Sequence, residues 1–130
     1  MLNHYNSSVL WKGHLYGIHG APGTNDDTYK DESMLRCVEF ETGSVKWSKS
    51  GFGKGSLMLA DGKLIILSER GELVVAEATP TGYKELARDH VIGGKCWTMP
   101  VLANGRIYCR NDRGNLVCFD VRVASLTPAR

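Results

Sequence analysis

The sequence predicts an all-β fold: about three four-stranded antiparallel blades of a β-propeller, the last lacking its outer strand. Three features lead there. One segment recurs three times around a glycine turn, each copy continues into a second hairpin signal, and the apolar runs between the turns are unbroken by polar residues.

The copies align without gaps. They are Leu10-Trp11-Lys12-Gly13-His14-Leu15-Tyr16, Leu59-Ala60-Asp61-Gly62-Lys63-Leu64-Ile65 and Leu102-Ala103-Asn104-Gly105-Arg106-Ile107-Tyr108. Their glycines are 49 and 43 residues apart, the period of a propeller blade. Asp61-Gly62 and Asn104-Gly105 are two-residue hairpin turns, since both central residues of a type I′ turn need positive φ. Lys12-Gly13 is a weaker version of the same turn. Strands at 56–60 and 63–68 are therefore antiparallel neighbours.

A second hairpin follows through Glu69-Arg70-Gly71 and Asn111-Asp112-Arg113-Gly114, where glycine takes the left-handed position that closes a bulged turn. It leads into Leu73-Val74-Val75-Ala76-Glu77 and Leu116-Val117-Cys118-Phe119-Asp120, matched in the first unit by Leu35-Arg36-Cys37-Val38-Glu39. A turn at Thr42-Gly43 or Thr81-Gly82 opens a fourth strand, at 44–48 and 83–87, and the third unit stops short of one. The blades are expected at 7–50, 55–90 and 95–125. Leu57, Met58, Leu59, Leu64, Ile65, Ile66 and Leu67 do not alternate with polar residues, as in strands covered on both faces.

The repeat resembles the PQQ-like, or quinoprotein-like, β-propeller family, which includes an eight-bladed outer-membrane assembly lipoprotein. The best match is 35–47, where Glu39, Thr42, Gly43 and Trp47 stand in the family's order; the second unit has Leu86 where that tryptophan would be. The resemblance implies that Trp47 packs at the outer edge of its blade and docks it to the next. Trp11 and Trp97 fall in first-strand regions and read as packing residues. The family's rings close with an outer strand from the N-terminus, so the chain resembles the C-terminal blades of a longer protein, or a subunit that closes a ring with copies of itself. The resemblance also implies an extracytoplasmic location, periplasmic or secreted, although residues 1–20 carry no signal-peptide pattern.

The first unit holds an insertion. Eighteen residues separate Tyr16 from Leu35, against seven at the same place in the other two units. The extra residues lie between Gly17 and Glu32, and long loops on repeat scaffolds often carry binding function. Four carboxylates and one histidine there are donors for a hard cation such as calcium, but their spacing fits no calcium-loop motif; a solvated polar loop is the expectation and a metal site the alternative.

No catalytic, cofactor-binding or metal-binding residue is expected. Cys37, Cys96, Cys109 and Cys118 form no C-x-x-C pair and read as small buried hydrophobes in strands; no two are adjacent, whereas the family's quinone-dependent dehydrogenases carry an adjacent pair. Four free thiols weigh mildly against a strongly oxidising compartment. His4, His14, His19 and His90 lie in different settings and no serine sits in a G-x-S-x-G elbow. Glu39, Glu77 and Asp120 recur in every unit and are expected to accept backbone hydrogen bonds at turns. Net charge is only +2 and no run of like charge marks a nucleic-acid or anionic-membrane surface. The expected role is non-catalytic binding or assembly scaffolding with a protein partner, as a homo-oligomer or part of a larger ring. The alternative is part of a quinone-dependent dehydrogenase or another ligand-binding propeller.

Overall fold

The computed structural model describes residues 1, 3, 6–20 and 33–122. Eleven strands are found among them: β1 (Val9–Trp11), β2 (His14–His19), β3 (Met34–Glu39), β4 (Val45–Ser50), β5 (Ser56–Ala60), β6 (Lys63–Leu67), β7 (Glu72–Glu77), β8 (Glu85–His90), β9 (Val101–Ala103), β10 (Arg106–Arg110) and β11 (Leu116–Asp120). They form three antiparallel meanders in the orders β1-β2-β3-β4, β5-β6-β7-β8 and β9-β10-β11. These are two four-stranded blades and a third without its outer strand among the described residues. No helix there is long and apolar enough to cross a membrane.

The turn chemistry follows the sequence. Lys12, Asp61 and Asn104 have φ of 47°, 49° and 50°, each followed by a glycine of positive φ, so all three first hairpins are closed by I′-type turns. In the second hairpin of blade two, the Ser68 N–H donates to the Glu72 carbonyl at 2.9 Å and the Gly71 N–H to the Ser68 carbonyl at 3.0 Å. Ser68 Oγ also accepts the Glu72 N–H. Asn111 Oδ1 accepts the Asn115 N–H in the same way in blade three.

The fourth strands start later than the sequence suggests. Register shifts at Cys37/Val38 and Val75/Ala76 insert a bulge opposite each, so the chain regains pairing at Val45 and Glu85. Cross-strand pairing places Trp47 opposite Cys37 and Ala87 opposite Val75. Ala87, not Leu86, therefore stands where blade one has its tryptophan; the connection between the third and fourth strands has five residues in blade one and seven in blade two.

Blade two is covered on both sides. Leu57, Leu64, Ile66, Val74 and Ala76 pack with Tyr16, Ile18, Leu35 and Cys37 of blade one. Ile65 and Leu67 pack with Ile107 and Cys109 of blade three and with Ile92 and Cys96 of the connection. Neighbouring residues of β6 thus point into different cores, which is why the run does not alternate with polar residues. Blades one and three are each covered on one side by blade two, and their far faces retain Leu10, 54% exposed, and Leu116, 63% exposed.

Candidate functional site

The chemistry-bearing residues lie at the two ends of the strands, at the two joints between blades, and on the two open blade faces.

At the strand ends that hold the first hairpin turns, the three repeated acids are each paired with a cation. Glu39 meets Lys46 at 3.6 Å, Glu77 meets Lys84 at 3.2 Å, and Asp120 pairs with Arg122. The Thr42 hydroxyl donates to Glu39, and that bond with Lys46 holds the Glu39 carboxyl below its usual range. The expected backbone hydrogen bond occurs at Asp120, which accepts the Arg122 N–H at 3.1 Å. At Glu39 and Glu77 the acid is balanced by side chains instead.

Tryptophan makes the first joint. Trp47 Nε1 donates to the Thr79 carbonyl of blade two at 2.7 Å, and its ring lies 6.2 Å from Tyr16 and 5.8 Å from Tyr83. This is the docking role inferred from the resemblance, but the ring is half-buried rather than enclosed. Trp11 is also half-buried, in β1, and its ring lies over Gly62 of the blade-two turn.

The second joint centres on Glu69, which sequence reasoning passed over as a turn residue. Its carboxylate accepts Trp97 Nε1 at 2.9 Å and the Lys54 N–H at 3.1 Å. Burial works against its charge, but these donors, with Lys54 and Lys95 nearby, hold its pKa below the usual carboxylate value. Trp97 lies in the connection between blades two and three, not in a first strand, so the expectation for it is corrected: Glu69 anchors it there. Lys95 Nζ stands 5.2 Å above its ring. Asp112, the residue of blade three equivalent to Glu69, accepts the Lys95 N–H at 3.2 Å. An acid one residue into the second hairpin thus grips the backbone of the incoming connection in both blades. The Glu69/Asp112 spacing of 43, the same as Gly62/Gly105, is the signal that identifies it. A cleft of about 290 Å³ opens beside it, lined by Gly51, Phe52, Gly53, Ser68, Glu69, Arg70 and Glu72.

The nucleophile and metal candidates are not brought together. Cys37 and Cys109 are buried in strands, Cys96 is buried in the connection, and Cys118 is exposed on β11. The reading of all four as buried strand residues therefore fails at Cys96 and Cys118. Burial raises the thiol pKa at Cys37, Cys96 and Cys109, the last to about 11, so these three are poor nucleophiles. His14 Nδ1 lies 3.0 Å from the Lys12 carbonyl and His90 Nε2 lies 3.1 Å from the Arg70 carbonyl, at opposite ends of the strands. The pKa of His19 is lowered by burial and by Arg36. His4 lies outside the described residues. So does most of the insertion, of which Gly17, Ile18 and His19 belong to β2. No group of three or more His, Cys, Asp or Glu side chains that could hold a metal ion occurs among the described residues.

No family model and no curated protein matches the chain. Solved structures do. A europium-containing methanol dehydrogenase matches with a TM-score of 0.63 at 12% identity, over 88% of this chain and 22% of that one. BamB from Moraxella catarrhalis matches with a TM-score of 0.54 at 12% identity, over 87% of this chain and 42% of that one. The chain has the blade fold of these proteins, as its PQQ-like repeat resemblance indicates, and it spans less than half the length of each.

Proposed function

We propose that this unit is a non-catalytic binding or assembly scaffold that works through protein contacts made by its blades. One observation carries the reading. The joints inside the molecule bury their aliphatic side chains, whereas the two outermost blade faces hold the same kind of surface open, with Leu10 and Val45 on one, Val101 and Leu116 on the other. Exposed apolar sheet faces of this kind are covered in working proteins by other protein. The outer edge of β11 adds a second attachment point, since its blade has no fourth strand among the described residues. The cover is either further copies of the chain, making a homo-oligomer, or a partner polypeptide. The likeness to BamB supports the reading at the level of fold.

The likeness to a methanol dehydrogenase supports a second reading, in which these blades belong to a quinone-dependent enzyme. Against it stands the absence of adjacent cysteines in this sequence. The test is to incubate the purified chain with pyrroloquinoline quinone, calcium and a panel of alcohols, and follow reduction of a dye acceptor. The scaffold reading expects no turnover above that of the quinone alone. Turnover that requires both protein and quinone would overturn it.

A further inference from the structure

Because the blades are copies, each open face can be compared with the buried face to which it corresponds. Blade two turns Leu57, Ile66 and Val74 toward blade one, at 1%, 0% and 0% exposure. The repeat offsets, 49 residues from Gly13 to Gly62 and 38 from Leu35 to Leu73, place Ser8, Gly17 and Arg36 at those positions in blade one. The pairing agrees: Gly17 lies opposite Arg36 as Ile66 lies opposite Val74. A side chain at Gly17 would overlap Ser8 and the Met1 thioether, so the aliphatic triplet gives way to Ser8, Gly17 and Arg36, with Met1 lying over Gly17. Arg36 Nε is shut off from solvent and has no hydrogen-bond partner among the described residues.

The opposite open face changes at the same level. Ile18 and Leu67, 2% and 0% exposed, face the next blade in the two internal joints. Their equivalent in blade three is Arg110, which is exposed, with Val101, Tyr108, Leu116 and Cys118 on the same face of the sheet. Asp120 lies at the far end of that face and is already held by Arg122. Each open face therefore keeps exposed aliphatic residues and sets an arginine at a position where the internal joints bury an aliphatic side chain, Arg36 for Val74 and Arg110 for Leu67; Arg106 lies on the blade-three face as well, opposite Asp120.

Head-to-tail docking of two copies would bring Arg110 of one to the level of Arg36 of the other, setting two like charges against each other. A sheet face with a carboxylate at that level would instead meet either arginine with a charge-assisted, two-pronged hydrogen bond. We propose that both open faces are docking surfaces for an apolar blade-like face that bears a carboxylate, contributed by a polypeptide other than a copy of these blades, and that the arginines reject self-closure. This rests on the protein-docking reading above and specifies its partner chemistry.

The chain itself supplies the probe. Arg36→Glu and Arg110→Glu, made singly and together, are compared with the parent by sedimentation velocity at low and high salt. Circular dichroism checks that each is folded, and Arg110, being exposed, gives the variant least open to a folding artefact. Each single variant pairs opposite charges head to tail and is expected to self-associate at least about tenfold more tightly than the parent, reversibly with salt. Cys118, on the blade-three face, should then become protected from a thiol reagent. The double variant, with like charges restored, should match the parent. A parent that closes on itself as tightly as the single variants would overturn the proposal, as would single variants that stay monomeric. Neither result bears on the dye-reduction test.

Discussion

Gly71 and Gly114 hold the same place in the second hairpins of blades two and three, with φ of 85° and 83°. Their surroundings differ. A Cβ at Gly114 would meet nothing within 4 Å, whereas one at Gly71 would overlap the Ile92 carbonyl oxygen and lie 2.8 Å from its carbonyl carbon. The Gly71 carbonyl also accepts the Val91 N–H at 2.9 Å, tying the hairpin to the connection that carries the chain into blade three. Gly114→Ala should cost about 1 kcal/mol, the strain of a left-handed alanine. Gly71→Ala bears the same strain and must also push residues 91–92 away. That loses a hydrogen bond worth about 1 kcal/mol and loosens Ile92, 6% exposed in the second core, by a similar amount. The total is about 3 kcal/mol. In a chain of 130 residues the extra ~2 kcal/mol lowers Tm by about 6–10 °C beyond the effect of Gly114→Ala. Thermal unfolding followed by circular dichroism reads the difference directly. Equal Tm values for the two variants would refute the packing of this hairpin on the connection, and with it the joint between blades two and three.

Two further outcomes follow from the joints. Trp47→Ala should lower stability in urea by about 2–3 kcal/mol, less than for a fully enclosed tryptophan, and Trp47→Phe by about 1 kcal/mol through loss of the bond to Thr79; a phenylalanine variant as unstable as the alanine variant would show that the ring contacts contribute little. Glu69 has a folded pKa below its ordinary value of 4.5, so its contribution is present above that pH and is lost as the pH falls through the folded value. Glu69→Gln should therefore lower Tm at pH 7 and shrink the drop between pH 7 and pH 3; an unchanged drop would remove Glu69 from the clamp.

The turns were legible because they are local. Asp61-Gly62 and Asn104-Gly105 specify a backbone that few other dipeptides adopt, and each sets the register of the strands beside it. The unbroken run from Leu64 to Leu67 likewise announced a blade with two buried faces. What escaped the sequence depends on partners far along the chain. The bulges next to Val45 and Glu85 arise from pairing with strands already placed, and the longer connection in blade two moves the Trp47 equivalent from Leu86 to Ala87. Trp97 reads as a strand residue until Glu69, 28 positions away, is seen to hold its indole in the connection. The arginines of the open faces were visible in the aligned copies, but their meaning required knowing which positions the internal joints bury.

The blades are stacked in sequence order, and among the described residues the middle one is covered on both faces and the outer two on one. Amide hydrogen exchange measured residue by residue tests this stacking. The slowest exchange should fall in β6 and β7 of blade two, with β2, β3 and β10 faster and the edge strands, β11 among them, faster still. Uniform protection across the three sheets, or β11 as slow as β7, would contradict the open three-blade stack.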